Sequence, residues 1–145
     1  MEIVERTAVV PYSQRQMFDL VADIENYAEF LPWCTSSEVH ERTPEKVMAS
    51  LVLAKGPIRK KFTTINSLKA PEQLEMHLVE GPFSHLYGVW TFAALSEGST
   101  EVHCRLEFDF SSRTLAMIIG PLFGMVANEL LDSFCQRAHE VYGDD

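Results

Sequence analysis

The 145-residue sequence has few cysteines, a deficit of basic residues and no long apolar run. Its three cysteines, Cys34, Cys104 and Cys135, are an odd number without Cys-x-x-Cys spacing, which favours free thiols in a reducing compartment. Twelve Lys and Arg against 21 Asp and Glu argue against broad binding of nucleic acid, which needs a basic surface. No secretory signal opens the chain, and its most apolar stretch, residues 115–127, is shorter than the about 20 residues that span a bilayer. We therefore predict a cytoplasmic protein.

The composition is that of an ordinary folded domain. Apolar residues make up 46% and charged residues 23%, both near the average for soluble globular proteins. A typical domain has roughly 100 to 200 residues, and no repeat or low-complexity linker divides this chain. We predict a single domain over residues 1–145.

Hydrophobic periodicity predicts helices near both ends of the chain and strands between them. Residues 3–10 form a first strand, Ser13 caps a short helix, and residues 23–31 form a second short helix. Six further strands follow from Trp33 onward, and the chain ends in a long helix over residues 112–142. The strands are separated by turns at Thr43-Pro44, Gly56-Pro57, Ala70-Pro71, Gly81-Pro82 and Glu97-Gly98.

This order of elements predicts an α+β protein. Helices are segregated from an antiparallel meander, whose clearest strand is residues 101–110, where apolar and polar side chains alternate. Because strands twist, a seven-stranded sheet curls around the last helix. The expected architecture is a helix-grip fold with two short helices after the first strand. Space between a curved sheet and a straight helix can admit a ligand.

Short motifs over nearly the whole chain resemble one known family. They are Val10-Pro11-Tyr12-Ser13, Met17-Phe18-Asp19-Leu20-Val21, Phe30-Leu31-Pro32-Trp33-Cys34, Phe62-Thr63-Thr64 with Asn66, Leu78-Val79-Glu80-Gly81-Pro82-Phe83, Trp90 with Phe92, Leu106-Glu107-Phe108, and Arg137-Ala138 with Val141-Tyr142-Gly143. In this order they are similar to the coenzyme Q-binding and ribosome-association toxin (RatA) family of START-like proteins, in the polyketide cyclase/dehydrase superfamily. The family commonly has proline where this chain has Ala28, which loosens one turn away from the expected cavity.

The resemblance implies a START/Bet v 1-like fold and two alternative roles. Some members bind ubiquinone and support cellular respiration, and the toxin-antitoxin member is described as binding the large ribosomal subunit. We expect a non-enzymatic protein that holds ubiquinone or a related isoprenoid lipid, or alternatively one that docks on that subunit. A cyclase or hydrolase is a less favoured alternative, since one fold hosts many functions. The expected partners are a lipid, a membrane surface or the ribosome, but not DNA, and no cofactor is required.

The first candidate site is an apolar cavity between the inner face of the sheet and the last helix. Its predicted lining is Phe62, Thr64, Met76, Leu78, Tyr87, Gly88, Trp90, Phe92, Leu106, Phe108, Ile118, Leu122 and Phe123. Aromatic rings there stack on a quinone head, and Thr64 or Tyr87 donates it a hydrogen bond. Burial of tail hydrocarbon, at about 0.8 kcal/mol per CH₂, dominates the affinity. The alternative is that these residues pack together as an ordinary core.

The segment 115–127 of the last helix is apolar nearly all round. Gly120-Pro121 predicts a kink in it, because proline removes a helical hydrogen bond. One hypothesis is that this segment opens for the ligand and touches lipid, which places the protein at the periphery of the inner membrane. The alternative is a bent helix that stays covered.

The second candidate site is a basic hairpin tip around Gly56-Pro57. Lys55, Arg59, Lys60 and Lys61 place four of the twelve basic residues within seven positions. Such a cluster attracts polyanions, either phospholipid head groups or ribosomal RNA phosphates. The alternative is a solvated hairpin whose charges discourage edge-to-edge aggregation.

Catalytic arrangements find little support in the sequence. No metal-binding spacing and no glycine-rich phosphate loop are present. The histidines are His40, His77, His85, His103 and His139. Glu75 and His77 share a strand face that we predict to be wet, and no base is near Cys34, which we predict to be buried and inert. We predict no metal site and no catalytic residue.

Overall fold

The computed structural model describes residues 1–96 and 98–143. Its elements, in chain order, are β1 (Glu2–Val10), α1 (Gln14–Ala22), a 3₁₀ helix (Ile24–Glu29), β2 (Cys34–Arg42), β3 (Lys46–Lys55), β4 (Ile58–Lys69), β5 (Gln73–Glu80), β6 (Phe83–Ser96), β7 (Ser99–Phe110) and α2 (Arg113–Tyr142). The predicted α+β class and the order of elements are confirmed. The turn predicted at Glu97-Gly98 includes Glu97, which lies outside the described residues.

The seven strands form one antiparallel sheet in the order β1-β7-β6-β5-β4-β3-β2. Strands β2 to β7 are joined in sequence as a meander, and β1 closes the far edge by pairing with β7. The long-range β1–β7 pairing places Val4 opposite Leu106 and Val10 opposite Thr100. The predicted seven-stranded sheet with a long C-terminal helix is therefore confirmed.

Local side chains fix where the helices begin. The Ser13 hydroxyl accepts a hydrogen bond from the Gln16 backbone N–H at 3.1 Å, and the Gln16 side chain accepts one from the Ser13 N–H at 2.8 Å. This reciprocal capping box satisfies two amide groups that α1 cannot pair internally. At α2 only the first of these two bonds is present: the Ser112 hydroxyl accepts from the Leu115 N–H at 3.1 Å. The helix then continues through Pro121 to Tyr142.

The core lies between the inner face of the sheet and one side of α2. Alternate residues of β7 are buried, as the sequence pattern predicts: Val102, Cys104, Leu106 and Phe108. Against them pack the buried residues of α2, namely Ile119, Leu122, Phe123, Val126, Ala127, Leu131, Phe134 and Ala138. By length and hydropathy, α2 also meets the criteria of a membrane-crossing helix. Its buried stripe accounts for part of this apolar character, while Met117, Ile118 and Met125 of the same helix are exposed.

Candidate functional site

A small cavity lies in the core between the sheet and α2, with a volume of about 60 Å³. It is lined by Ile24, Tyr27, Trp33, Leu51, Phe62, Thr64, Asn66, Leu74, Met76, Trp90, Leu106, Phe123, Val126, Leu130 and Phe134. Typical ligand pockets measure about 300 to 1,000 Å³. A quinone ring with its tail therefore fits this cavity only if side chains move apart first.

Six of the predicted lining residues surround this cavity. They are Phe62, Thr64, Met76, Trp90, Leu106 and Phe123. Five come from neighbouring strands of the sheet and one from α2, which is the sheet-and-helix arrangement that the pattern predicts.

Five of the other predicted lining residues lie in the packed structure around the cavity. Phe92, Phe108 and Leu122 are fully packed into the surrounding core, while Leu78 is partly buried at its margin. The space above Gly88 is already filled: a Cβ there would lie 2.7 Å from Leu106 Cδ2 and 3.0 Å from Met76 Cε. Close packing of neighbours, and not a void, accounts for that glycine.

Tyr87 and Ile118 point away from the cavity. Tyr87 alternates with the inward residues of β6 and so lies on the outer face, where its hydroxyl donates to Glu75 Oε2 at 2.7 Å. This hydrogen bond to a carboxylate raises the pKa of Tyr87. Ile118 is 50% exposed on the outer side of α2. Neither side chain can serve a ligand in the cavity without a large rearrangement.

The cavity also has walls that the sequence pattern did not identify. Phe134 is one of them, with its ring edge-on to Tyr27, Phe30 and Trp90 at centroid distances of 5.3, 5.2 and 5.1 Å. Tyr27 comes from the 3₁₀ helix, whose six residues are too few to show a readable period. Its hydroxyl donates to the Val21 carbonyl, and burial raises its pKa far above the usual range.

One hydrogen-bonded pair gives the otherwise apolar wall a polar spot. Asn66 Nδ2 donates to the Val47 carbonyl and to Thr64 Oγ1, both at 3.2 Å. Asn66 and Thr64 are only 3% and 4% exposed. They occupy successive inward positions of β4, so both side chains reach the cavity.

The basic hairpin tip is defined as Lys55, Arg59, Lys60 and Lys61. A two-residue turn, Gly56-Pro57, joins β3 to β4, and Lys55 pairs with Ile58 directly across it. Gly56 has a φ of 58°, a conformation that a side chain disfavours. All four basic side chains are exposed. Within residues 1–96 and 98–143, no carboxylate lies within 4.0 Å of any of them, so this charge is not neutralised by the chain.

Four arginines elsewhere in the chain differ from the hairpin tip in having carboxylate partners. Each lies within ion-pair distance of a carboxylate: Arg15 with Asp19, Arg42 with Glu25, Arg105 with Glu107, and Arg137 with Glu29. The contrast makes the hairpin tip a concentrated, uncompensated positive charge on an acidic protein.

The hairpin tip lies beside the exposed side of α2. Lys55 Nζ is 3.9 Å from the Met125 sulfur. Met125 is 36% exposed, and Met117 and Ile118, further along the same helix, are 75% and 50% exposed. The hairpin tip therefore contacts α2 at an apolar side chain, that of Met125.

Comparisons with known proteins place these features in a family. Residues 10–135 match the family model described as polyketide cyclase / dehydrase and lipid transport. The chain belongs to this family. It is 44% identical to the ribosome association toxin RatA of Pseudomonas aeruginosa, over 97% of each chain. It is also 27% identical to the mitochondrial coenzyme Q-binding protein of Dictyostelium discoideum, over 96% of this chain and 70% of that protein. The resemblance carried by the sequence motifs is confirmed.

Solved structures share the architecture of this family. An 18 kDa protein from Caulobacter crescentus is 28% identical, with a TM-score of 0.75 over 99% of this chain and all of that chain. The Zhui aromatase/cyclase of a Streptomyces species is 17% identical, with a TM-score of 0.78 over 95% of this chain and 93% of that chain. At that identity the likeness to the cyclase shows the fold alone.

The cysteines of this family member give a testable expectation. Burial raises the pKa of the Cys104 thiol to about 12 and that of Cys34 above its ordinary value. Because only the thiolate is nucleophilic, we expect neither to react with a thiol reagent at pH 8 until the chain unfolds. Mass spectrometry of the labelled protein, with and without denaturant, measures this. Fast native labelling of Cys34 would contradict the prediction that it is inert.

Metal chemistry has no assembled donor set in the part of the chain that the structure describes. No group of three or more His, Cys, Asp or Glu side chains there is arranged to hold an ion. Four histidines instead lie near single carboxylates on the surface: His40 with Glu38, His77 with Glu75, His85 with Glu107, and His103 with Glu5.

Proposed function

We propose that the chain is a non-enzymatic protein that associates with the ribosome, at its large subunit, through the basic hairpin tip. The observation that carries this proposal is a set of four exposed cations, on a chain of formal net charge −9, that have no carboxylate partner among residues 1–96 and 98–143. Ribosomal RNA is a dense array of phosphates, and cations that neutralise phosphates release condensed counterions. Relatives that are 39 to 44% identical carry the name ribosome association toxin, which supports association with the ribosome.

The hairpin geometry suits contact with a polyanion. Lys60 pairs with Leu53 and Arg59 pairs with Ala54, so successive cations leave opposite faces of the ribbon. The tip therefore presents charge on both sides, while the acidic remainder of the chain is repelled by phosphate. This asymmetry orients the protein during the encounter, since a positive patch steers association with a negative surface.

Co-sedimentation with purified ribosomal subunits in sucrose gradients tests this function. We expect the protein to travel with the large subunit at low salt and to be released as the salt concentration rises, as counterion release requires. Vesicles of anionic phospholipid offer phosphates without RNA and serve as the comparison. Protein that remains at the top of the gradient at every salt concentration would contradict the proposal.

The cavity favours a second function, the binding of ubiquinone or a related isoprenoid lipid. Its lining is mostly aromatic and aliphatic, and the coenzyme Q-binding relative supports this ligand class. Because the closed cavity is only about 60 Å³, binding requires flexible lining residues to yield. Met76 and Leu130 lie on opposite walls of the cavity. Met76 has an unbranched side chain and Leu130 a singly branched one, so both can change rotamer.

Organic extraction of protein purified without detergent, followed by mass spectrometry, tests the second function. A stoichiometric isoprenoid quinone is the expected result. An extract without lipid, together with no uptake of added quinone, would contradict it and would leave the ribosome proposal untouched.

A further inference from the structure

Three polar side chains on the cavity wall retain hydrogen-bonding capacity that the described residues do not use. Asn66 Nδ2 donates both its protons, but Asn66 Oδ1 accepts none within residues 1–96 and 98–143. Thr64 Oγ1 accepts from Asn66, and its own proton has no acceptor in that part of the chain. Trp90, 5% exposed, likewise has no described partner for its indole N–H.

The orientation of the Asn66 amide is fixed by its neighbour. The Val47 carbonyl can only accept, so the atom that contacts it at 3.2 Å must be the amide nitrogen. The side-chain oxygen Oδ1 of Asn66 is then the atom without a hydrogen-bond partner among the described residues. Among the described residues, no buried side-chain nitrogen or oxygen is both sealed from solvent and unpaired. The unpaired atoms of these nearly buried side chains therefore keep some contact with open space, and all three residues line the cavity.

A ligand that enters the cavity and covers these polar groups without pairing them removes their hydration, which disfavours its binding. Native proteins accordingly pair the large majority of such groups. Thr64 and Asn66 offer one donor and one acceptor side by side, bonded to each other at 3.2 Å. A hydroxyl group, which donates one hydrogen bond and accepts others, complements this arrangement. A carbonyl, which only accepts, would leave Asn66 Oδ1 unpaired.

The geometry points to a cavity that selects apolar ligands by a hydroxyl group, with the ligand O–H donating to Asn66 Oδ1 and its oxygen accepting from Thr64 Oγ1. Trp90 supplies a further donor on β6, two strands away from this pair. The inference rests on the lipid-binding function proposed above and makes it more specific. For a quinone-type ligand, the quinol carries the matching hydroxyl and the oxidised quinone does not.

Water is the competing occupant of the cavity. A volume of about 60 Å³ exceeds the about 10 to 15 Å³ that one water molecule needs, so water can enter the cavity. Water satisfies the same three side chains without any ligand. The test must therefore measure selection between ligands and not merely occupancy.

NMR titration of the full chain with 4-propylphenol, and separately with propylbenzene, measures this selection between ligands. The two probes differ by one hydroxyl group. We expect the phenol to bind about tenfold more tightly, which is the ratio that one or two net hydrogen bonds supply. In an apolar cavity without hydroxyl selection, the hydrocarbon is favoured instead, because the phenol loses its hydration.

Variants of Thr63 and Thr64 show which of these two adjacent side chains produces the preference for the phenol. Thr64→Val should reduce the preference for the phenol to less than threefold, and Thr64→Ser, which keeps the hydroxyl, should retain it. Thr63→Val is the matched control, since Thr63 is equally buried but faces the other side of the sheet, bonded to Ser50 at 2.6 Å. Thr63→Val should retain the preference. The ratio of two affinities is insensitive to a moderate loss of stability.

The outcomes separate the two proposals. Equal affinities, or tighter binding of propylbenzene by the unmodified chain, would overturn hydroxyl selection while leaving a lipid-binding cavity in place. Binding of neither probe would overturn both. Loss of the preference in Thr63→Val to the same extent as in Thr64→Val would also overturn the assignment to Thr64.

Discussion

Replacement of Arg59, Lys60 and Lys61 by alanine is expected to weaken ribosome binding about 100-fold at physiological salt. A Lys or Arg close to a polyanionic surface contributes about 1 kcal/mol, and 1.4 kcal/mol is a factor of ten in affinity. All three side chains are exposed and have no carboxylate partner in the described chain, so their loss removes little that stabilises the fold. Equilibrium binding to purified large subunits at several salt concentrations measures the effect. The slope of log affinity against log salt should become shallower by about two to three, because three fewer phosphates are neutralised.

A charge-matched variant shows whether position matters. Alanine at Arg15, Lys46 and Lys69 changes the net charge by the same amount, and all three residues are exposed. Lys46 and Lys69 lie at the opposite ends of β3 and β4 from the hairpin tip. We expect less than a threefold change for this variant. Equal losses for the two variants would mean that net charge, and not the hairpin tip, drives the association.

Phe134→Ala is expected to lower the free energy of unfolding by about 3 to 5 kcal/mol. The ring is 1% exposed and makes edge-on contacts with Tyr27, Phe30 and Trp90, so its removal leaves a void among three rigid aromatic rings. Urea unfolding measures the loss. For a chain of this size the melting temperature should fall by roughly 10 °C or more.

Ile118→Ala is the control on the same helix. Ile118 is 50% exposed, and its truncation should cost about 0.5 kcal/mol or less. A loss below about 1 kcal/mol in Phe134→Ala would contradict a tightly packed cavity wall. It would indicate that the rings collapse easily, which in turn would make the closed cavity easier to open.

Local sequence patterns predicted most of the fold. Alternation along residues 99–110 gives the inward face of β7 directly, and Ser13 followed by Gln16 marks the start of α1. The same alternation places Tyr87 on the outer face, opposite in direction to Gly88 and Leu86. The prediction that Tyr87 lines the cavity was therefore wrong. The alternation of side chains along β6 already places Tyr87 on the outer face.

The cavity depends on information that periodicity does not contain. Tyr27 and Trp33 reach it from a 3₁₀ helix and the loop that follows, where no regular spacing of apolar residues exists. Phe92 and Phe108 also lie on the inward faces of their strands, but they are packed on all sides. Whether an inward residue borders the cavity depends on which side chains meet it from the helix, and the strand period does not contain that information. The hairpin tip, unlike the cavity, could be predicted from a local pattern. Its charged residues and its turn are contiguous in the sequence, so the turn alone brings the charges together.

Photo-crosslinking from the turn of the hairpin tip tests the central claim most directly. A photoreactive amino acid at Pro57 sits among the four cations, and the same amino acid at Pro44 occupies an exposed turn at the other end of β3. The ends of a ten-residue strand lie about 30 Å apart. Our account predicts crosslinks from position 57 to the large ribosomal subunit and few or none from position 44. Crosslinks from position 44 alone, or from neither position when the protein co-sediments with ribosomes, would contradict it.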